Sequence, residues 1–234
     1  MIEKLKKELE TLKNPEKAAI LKRFFKTGKD QYGEGDIFLG IQVPVLRKTV
    51  RKYFSMSVND ILKVLKSGIH EERMVALFLL VHKFEEGDEG IKQIIYKEYL
   101  KNTKYINNWD LVDLSAEKIV GEYLFNKSKE PLYDLAESEM LWERRIAILS
   151  TYNFIKKGYC DETIKISEML LKDSHDLIHK AVGWMLREAG KRCCEEVLLS
   201  FLDKYCKFMP RTMLRYAIEK LSPDLKIKYL NGNF

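Results

Sequence analysis

Apolar residues recur along this chain at intervals of three and four, the spacing of one face of an α-helix. The pattern predicts helices near 2–12, 15–26, 44–54, 58–66, 70–85, 89–101, 108–125, 129–138, 142–157, 161–172, 175–189, 193–208, 211–221 and 223–230. Asn14-Pro15 reads as a cap followed by proline at the first helical position. Ser57 and Ser174 are further cap candidates, and Gly68, Gly87, Gly158 and Gly190 mark expected helix ends. No convincing strand is present; Ile37-Phe38-Leu39 comes nearest and is short. The longest non-helical piece, 27–43, holds Gly28, Gly33, Gly35 and Gly40. It is not a P-loop, because no strand precedes it and no Gly-Lys-Ser/Thr closes it. A connection between helix pairs is the preferred reading. The alternative is a loop whose backbone amides, with Lys29, approach phosphate.

A repeat lies over this pattern. Arg73-Met74-Val75-Ala76-Leu77, Asp110-Leu111-Val112-Asp113-Leu114, Arg145-Ile146-Ala147-Ile148-Leu149, Lys180-Ala181-Val182-Gly183-Trp184 and Arg215-Tyr216-Ala217-Ile218-Glu219 each begin polar and continue apolar or small. Their first residues are separated by 37, 35, 35 and 35 positions. A helix pair repeated at this length is the mark of a HEAT-like α-solenoid, in which one pair cannot bury its apolar face without its neighbours. The expected fold is therefore all-α: a single domain over 1–234 of stacked antiparallel helix pairs around a concave basic groove, with 27–43 as a possible loop insertion.

The repeat register locates candidate chemistry. With each copy's first residue as zero and about 100° per position, Trp109 lies at −1, Arg145 at zero, Asp113 at +3, Trp184 at +4 and Arg187 at +7. These five share an arc of roughly 140°, away from the apolar +1 and +2 positions. Trp109 and Asp113, four apart, put an indole and a carboxylate on one helix face. Either tryptophan alone would read as packing, and either arginine as a solvated charge. Their clustering with a carboxylate points instead to chemistry or recognition on a polyanion. Asp110 is the rival acid on the same arc; its structural alternative is a salt bridge between neighbouring helices.

Composition adds limits. The chain has 234 residues, 46% hydrophobic and 32% charged, with only 12 Gly and 5 Pro, which suits a folded core and not a disordered chain. The formal net charge of +6 is compatible with nucleic acid without requiring it. Cys160, Cys193, Cys194 and Cys206 form no C-x-x-C pair and read as reduced thiols of the core. The first residues lack the apolar stretch of a signal peptide, and the apolar run 74–81 is too short to span a bilayer. A cytoplasmic monomer without membrane contact is expected. His175 and His179 are four apart but lack the Glu and third ligand of a zinc motif, so no metal is expected.

Phe38-Leu39-Gly40-Ile41-Gln42-Val43-Pro44, Trp109-Asp110-Leu111-Val112-Asp113, Trp142-Glu143-Arg144-Arg145-Ile146-Ala147-Ile148-Leu149 and Lys180-Ala181-Val182-Gly183-Trp184-Met185-Leu186-Arg187-Glu188 occur in that order and span most of the chain. In these segments the chain resembles the AlkD family of DNA alkylation repair glycosylases, built from HEAT-like repeats. The resemblance implies release of 3-methyladenine, 7-methylguanine and similar cationic purines from duplex DNA, without cofactor and without drawing the base into a pocket. It implies Asp113 as the catalytic carboxylate, Trp109 and Trp184 beside the lesion's deoxyribose, and Arg145 and Arg187 on nearby phosphates. Phe24 stands where the family pattern has tyrosine, and Tyr32 is the residue placed to supply that hydroxyl from the loop. Two other functions fit an α-solenoid: a non-catalytic DNA-structure binder, and a protein-binding scaffold.

Overall fold

The computed structural model describes residues 1–231. The chain divides into two compact units, Met1–Ser115 and Ala116–Phe234. In the first, helices α1 (Ile2–Thr11), α2 (Pro15–Phe24), α3 (Val43–Val50), α4 (Val58–Leu65), α5 (His70–Glu86), α6 (Glu89–Lys101) and α7 (Trp109–Ala116) follow one another. Two of the expected caps are made: Asn14 Oδ1 accepts from Lys17 N at 2.9 Å, and Ser57 Oγ from Asp60 N at 3.2 Å. The centre is α5, packed by α3, α4 and α6. Every residue from His70 to Val81 is buried, as expected of a helix enclosed on all sides.

The second unit continues with a π-helical turn (Glu117–Gly121), α8 (Glu122–Leu124), α9 (Glu130–Ala136), α10 (Leu141–Ser150), α11 (Tyr152–Lys156), α12 (Asp161–Met169), α13 (Asp176–Arg192), α14 (Glu195–Tyr205), α15 (Arg211–Ala217) and α16 (Pro223–Asn231). Here α13 is central, packing against α10, α11, α12, α14 and α15. The fold class is thus an all-α arrangement of packed helix pairs of α-solenoid type, and no named strand occurs among the described residues. Ile37 makes only an isolated parallel bridge to Ile69.

The repeat register holds in the core. The +1 and +2 residues Met74, Val75, Leu111, Val112, Ile146, Ala147, Ala181 and Val182 are all buried. Only Tyr216, in the last copy, emerges to solvent.

Three local expectations are corrected. The helix predicted over 142–157 is broken at Thr151, where two hydroxyls turn back onto the backbone: Ser150 Oγ to Ile146 O at 2.6 Å and Thr151 Oγ1 to Ile148 O at 2.7 Å. Such back-bonding bends helices. The cap of α13 is His175, not Ser174; its Nδ1 accepts from Leu177 N at 3.1 Å. Gly190 does not end that helix but lies within it. A Cβ there would come 2.8 Å from the Leu198 side chain, so the glycine serves the approach of α14.

Candidate functional site

The stretch 27–43 is tied down along its length. Gly28 N donates to Gln31 Oε1 and Asp30 N to Glu34 Oε2. Glu71, buried at the start of α5, accepts from three successive amides: Leu39 N at 2.9 Å, Gly40 N at 2.7 Å and Ile41 N at 3.2 Å. These five amides are therefore committed to the protein's own oxygens, which argues against the phosphate-cradle alternative for this loop. Tyr32 folds back so that its hydroxyl lies 3.4 Å from Phe24 O.

Below the loop, Asp36 is buried and accepts from Arg73 Nη2 at 2.6 Å, from Asn107 Nδ2 at 3.1 Å and from the His70 ring at 3.1 Å. Burial pushes its carboxyl up, but the His70 hydrogen bond and the Arg73 charge outweigh this and hold it below the usual carboxylate range. The other ring nitrogen of His70 lies 2.9 Å from Asp110 Oδ2. Burial alone would depress the imidazole. The two carboxylates outweigh it and raise its pKa to about 9, so His70 is a buried imidazolium at neutral pH. Asp110 is accordingly a tether between the starts of α5 and α7, the structural alternative weighed for it, with His70 as partner in place of a same-register Arg or Lys.

The helix α7 opens with Asn108, buried, whose Oδ1 accepts from Trp109 N at 2.9 Å. The Trp109 indole stacks on Phe25 with ring centroids 5.2 Å apart and meets Phe24 edge-on at 6.0 Å. Phe25 stacks in turn on Phe38, and Phe38 on the His70 ring at 4.5 Å. The indole is thus one end of an aromatic stack whose other end is a cation. Asp113, one turn further along α7, is half-buried like Trp109. Its charge is felt at Tyr99, whose phenol is driven well above its ordinary pKa by burial and further by Asp113, against the bond to Ser115 Oγ.

The remaining candidates belong to the second unit. Arg145 is 5% exposed, and its Nη1 donates to Leu177 O, at the start of α13, at 2.6 Å. Trp184 and Arg187 stand three apart on α13. Trp184 is half-buried against Tyr152, ring centroids 6.0 Å apart. Arg192 and Lys156 lie over that same tyrosine at 5.5 and 5.3 Å. The Arg187 guanidinium pairs with Glu219 and, at 3.2 Å, with Glu188. Burial pushes the Glu188 carboxyl up, but bonds from Arg192 and Arg187 prevail and hold it low. Both candidate arginines are therefore built into the protein's own polar contacts, which spacing did not reveal.

Other motifs resolve into local structure. His179 Nε2 lies 2.5 Å from Asp173 O, and His175 is the helix cap, so each ring has a structural role. Among the described residues no group of three or more His, Cys, Asp or Glu could hold a metal ion. All four cysteines are free thiols, but only Cys160 and Cys206 are buried; Cys194 is exposed and donates to Glu196, contrary to the expected core location. No described helix is long and apolar enough to cross a membrane. Sequence reasoning missed Asp36, His70 and Glu71. The available signal was the run His70-Glu71-Glu72-Arg73 directly ahead of an unbroken apolar stretch, since ionisable groups at the edge of an enclosed helix must find partners.

The family described as DNA alkylation repair enzyme matches residues 5–221. A solved structure described as a predicted DNA alkylation repair enzyme from Enterococcus faecalis superposes with a TM-score of 0.69 at 18% identity, covering 90% of this chain and 97% of that one. At that identity the likeness is one of fold. No curated protein matches the chain.

Proposed function

The chain belongs to the family of DNA alkylation repair enzymes, and from that premise we propose that it is a DNA glycosylase releasing cationic N3- and N7-alkylpurines, such as 3-methyladenine and 7-methylguanine, from duplex DNA. The observation that carries this reading is the pairing on α7: an indole held by an aromatic stack, and a half-buried carboxylate one turn away on the same face.

The chemistry suits these groups. An alkylated purine carries a positive charge and leaves as a neutral base, so its departure needs no general acid. Positive charge develops on the sugar as an oxocarbenium ion. In this reading the Asp113 carboxylate stabilises that cation and orients the attacking water, while the faces of Trp109 and Trp184 add to the stabilisation. The reaction needs neither metal nor cofactor, and no pocket to receive the base. Asp110 is engaged by His70 and tethers the start of α7 to α5. Arg145 and Arg187 are proposed to fix the duplex by its phosphates along a basic groove. For Arg187 this means exchanging the Glu219 carboxylate for a phosphate.

The test is release of 7-methylguanine and 3-methyladenine from methylated duplex DNA by wild type and by Asp113→Asn. Wild type is expected to release both, and the variant to lose about a hundredfold or more in rate while keeping its fold. Equal release by the two proteins would move the carboxylate role elsewhere. Release by neither, with duplex binding retained, would make the chain a non-catalytic DNA binder.

A further inference from the structure

Helix α2 buries none of its residues. Lys17, Ile20, Leu21 and Phe24 nevertheless follow the spacing of a helix face that packs against something. These four residues line a cleft of about 420 Å³ within the first unit, together with Val43 of α3 and Met74 of α5. Ile20, Phe24 and Val43 remain 57%, 61% and 41% exposed.

Three features define what fits. The first is form. The wall at Gly40 and Ile41 is held by Glu71, which accepts from both amides. Gly40 packs so closely on α2 that a Cβ would come 2.1 Å from Asn14 O, and its φ of +83° suits glycine. A cleft held this way is formed before any partner arrives. With those two amides taken, neither can pair with an added strand. Recognition then runs through side chains, as when an amphipathic helix lays its apolar face in a groove. The second feature is the lining. Its exposed residues are chiefly aliphatic and aromatic, which calls for large apolar anchors. Duplex DNA offers mainly phosphate and sugar at its surface and has little to fill such a cleft. The third is charge. Helix α2 carries exposed Lys17, Lys22 and Arg23 against Glu16, and α3 carries exposed Arg47 and Lys48 without an acid. A partner with acids beside its anchors is attracted, whereas a second copy of this chain brings the same cations and is repelled.

We propose that the cleft between α2 and α3 docks an acidic amphipathic helix of a partner protein. Its large apolar side chains lie against Ile20, Phe24 and Val43, and its carboxylates face the lysines and arginines of the two helices. Neither Trp109 nor Asp113 lines the cleft, so the inference does not rest on the glycosylase reading and can fail or stand without it.

Fluorescence anisotropy on the full chain tests it, with a panel of dye-tagged, glutamate-rich helical peptides carrying Leu, Met, Phe or Trp at positions four apart. At least one peptide is expected to bind in the micromolar range, and to weaken at least about tenfold when its anchors become Ala or its glutamates become Lys. Ile20→Ser combined with Val43→Ser removes two exposed apolar contacts without changing charge or core, and is expected to weaken that peptide about tenfold or more. Ile94→Ser, similarly exposed on α6 and outside the cleft, is expected to bind like wild type. Duplex DNA is expected to bind the double variant as it binds wild type. No binding by any peptide overturns the proposal. So does binding that survives loss of the anchors or the double variant, or that falls equally in Ile94→Ser. Duplex affinity lost with the double variant to the same extent as peptide affinity gives the cleft to DNA and overturns it too.

Discussion

The His70 ring lies 2.9 Å from the Asp110 carboxylate on one side and 3.1 Å from Asp36 on the other, joining the start of α7 to the loop after α2 through one buried cation. This makes the first unit sensitive to pH. The rise of the His70 pKa from 6.5 to about 9 corresponds to roughly 3 kcal/mol. A group raised in the folded state contributes fully below its unfolded value and loses that contribution as pH climbs through the folded one. Urea midpoints are therefore expected to fall between pH 6.5 and 9.5 in wild type and to lose that dependence in His70→Gln, which leaves the Asp110 carboxylate without its cation and Asp36 with Arg73 alone, and is itself less stable by about 3–5 kcal/mol. A flat wild-type midpoint across this range would show that His70 is not the buried imidazolium.

Glu71 clamps the backbone of Leu39, Gly40 and Ile41. Glu71→Gln replaces one accepting oxygen by an amide NH₂ facing backbone donors. It is expected to destabilise by about 2–4 kcal/mol and to open 37–42 to proteolysis before the rest of the chain. Protection of that segment equal to wild type in limited digestion would remove the clamp from the account.

Close approach of helices explains one glycine of the repeat. A Cβ at Gly183 would come 2.4 Å from Met213 O and 2.6 Å from Tyr216 Cβ, so α13 and α15 leave no room for it. Gly183→Ala is expected to cost about 1–3 kcal/mol, read from the denaturation midpoint, despite alanine's better helix propensity. A stabilised variant would mean that α15 moves away freely.

Arg187 is bound by Glu219, so the carboxylate competes with any phosphate for the same guanidinium. Under the DNA-binding proposal, Arg187→Ala is expected to reduce the salt slope of duplex binding by about one. Glu219→Gln, which frees the guanidinium, is expected to tighten binding about threefold. Unchanged affinity and slope in both variants would take Arg187 off the DNA path.

Arg145 calls for a different readout. Its burial and its bond to Leu177 O predict that Arg145→Ala loses about 1–3 kcal/mol of stability in addition to any effect on DNA. Affinity of this variant is meaningful only alongside its denaturation curve, and a midpoint equal to wild type would contradict the structural role.

Most helices were legible in the chain because their causes are local. Apolar spacing marks the buried face, and Asn14 and Ser57 cap helices by bonds to residues three positions away. The repeat of about 35 residues was equally legible, since stacked pairs require apolar residues at the same register, and Met74, Leu111, Ile146 and Ala181 are all buried as that register demands. The pairing of Trp109 with Asp113 on one face of α7 follows from helix geometry alone.

What tertiary structure decided is the fate of the charges. Whether an arginine meets solvent, a phosphate or a carbonyl depends on groups more than thirty residues away: Leu177 for Arg145, Glu219 for Arg187, Asp36 and Asp110 for His70. Hydrophobic burial is short in period and repeats along the sequence, so a pattern records it. Hydrogen bonds and ion pairs are directional and act over a few ångströms, so those between segments distant in sequence are set only when the fold brings the segments side by side.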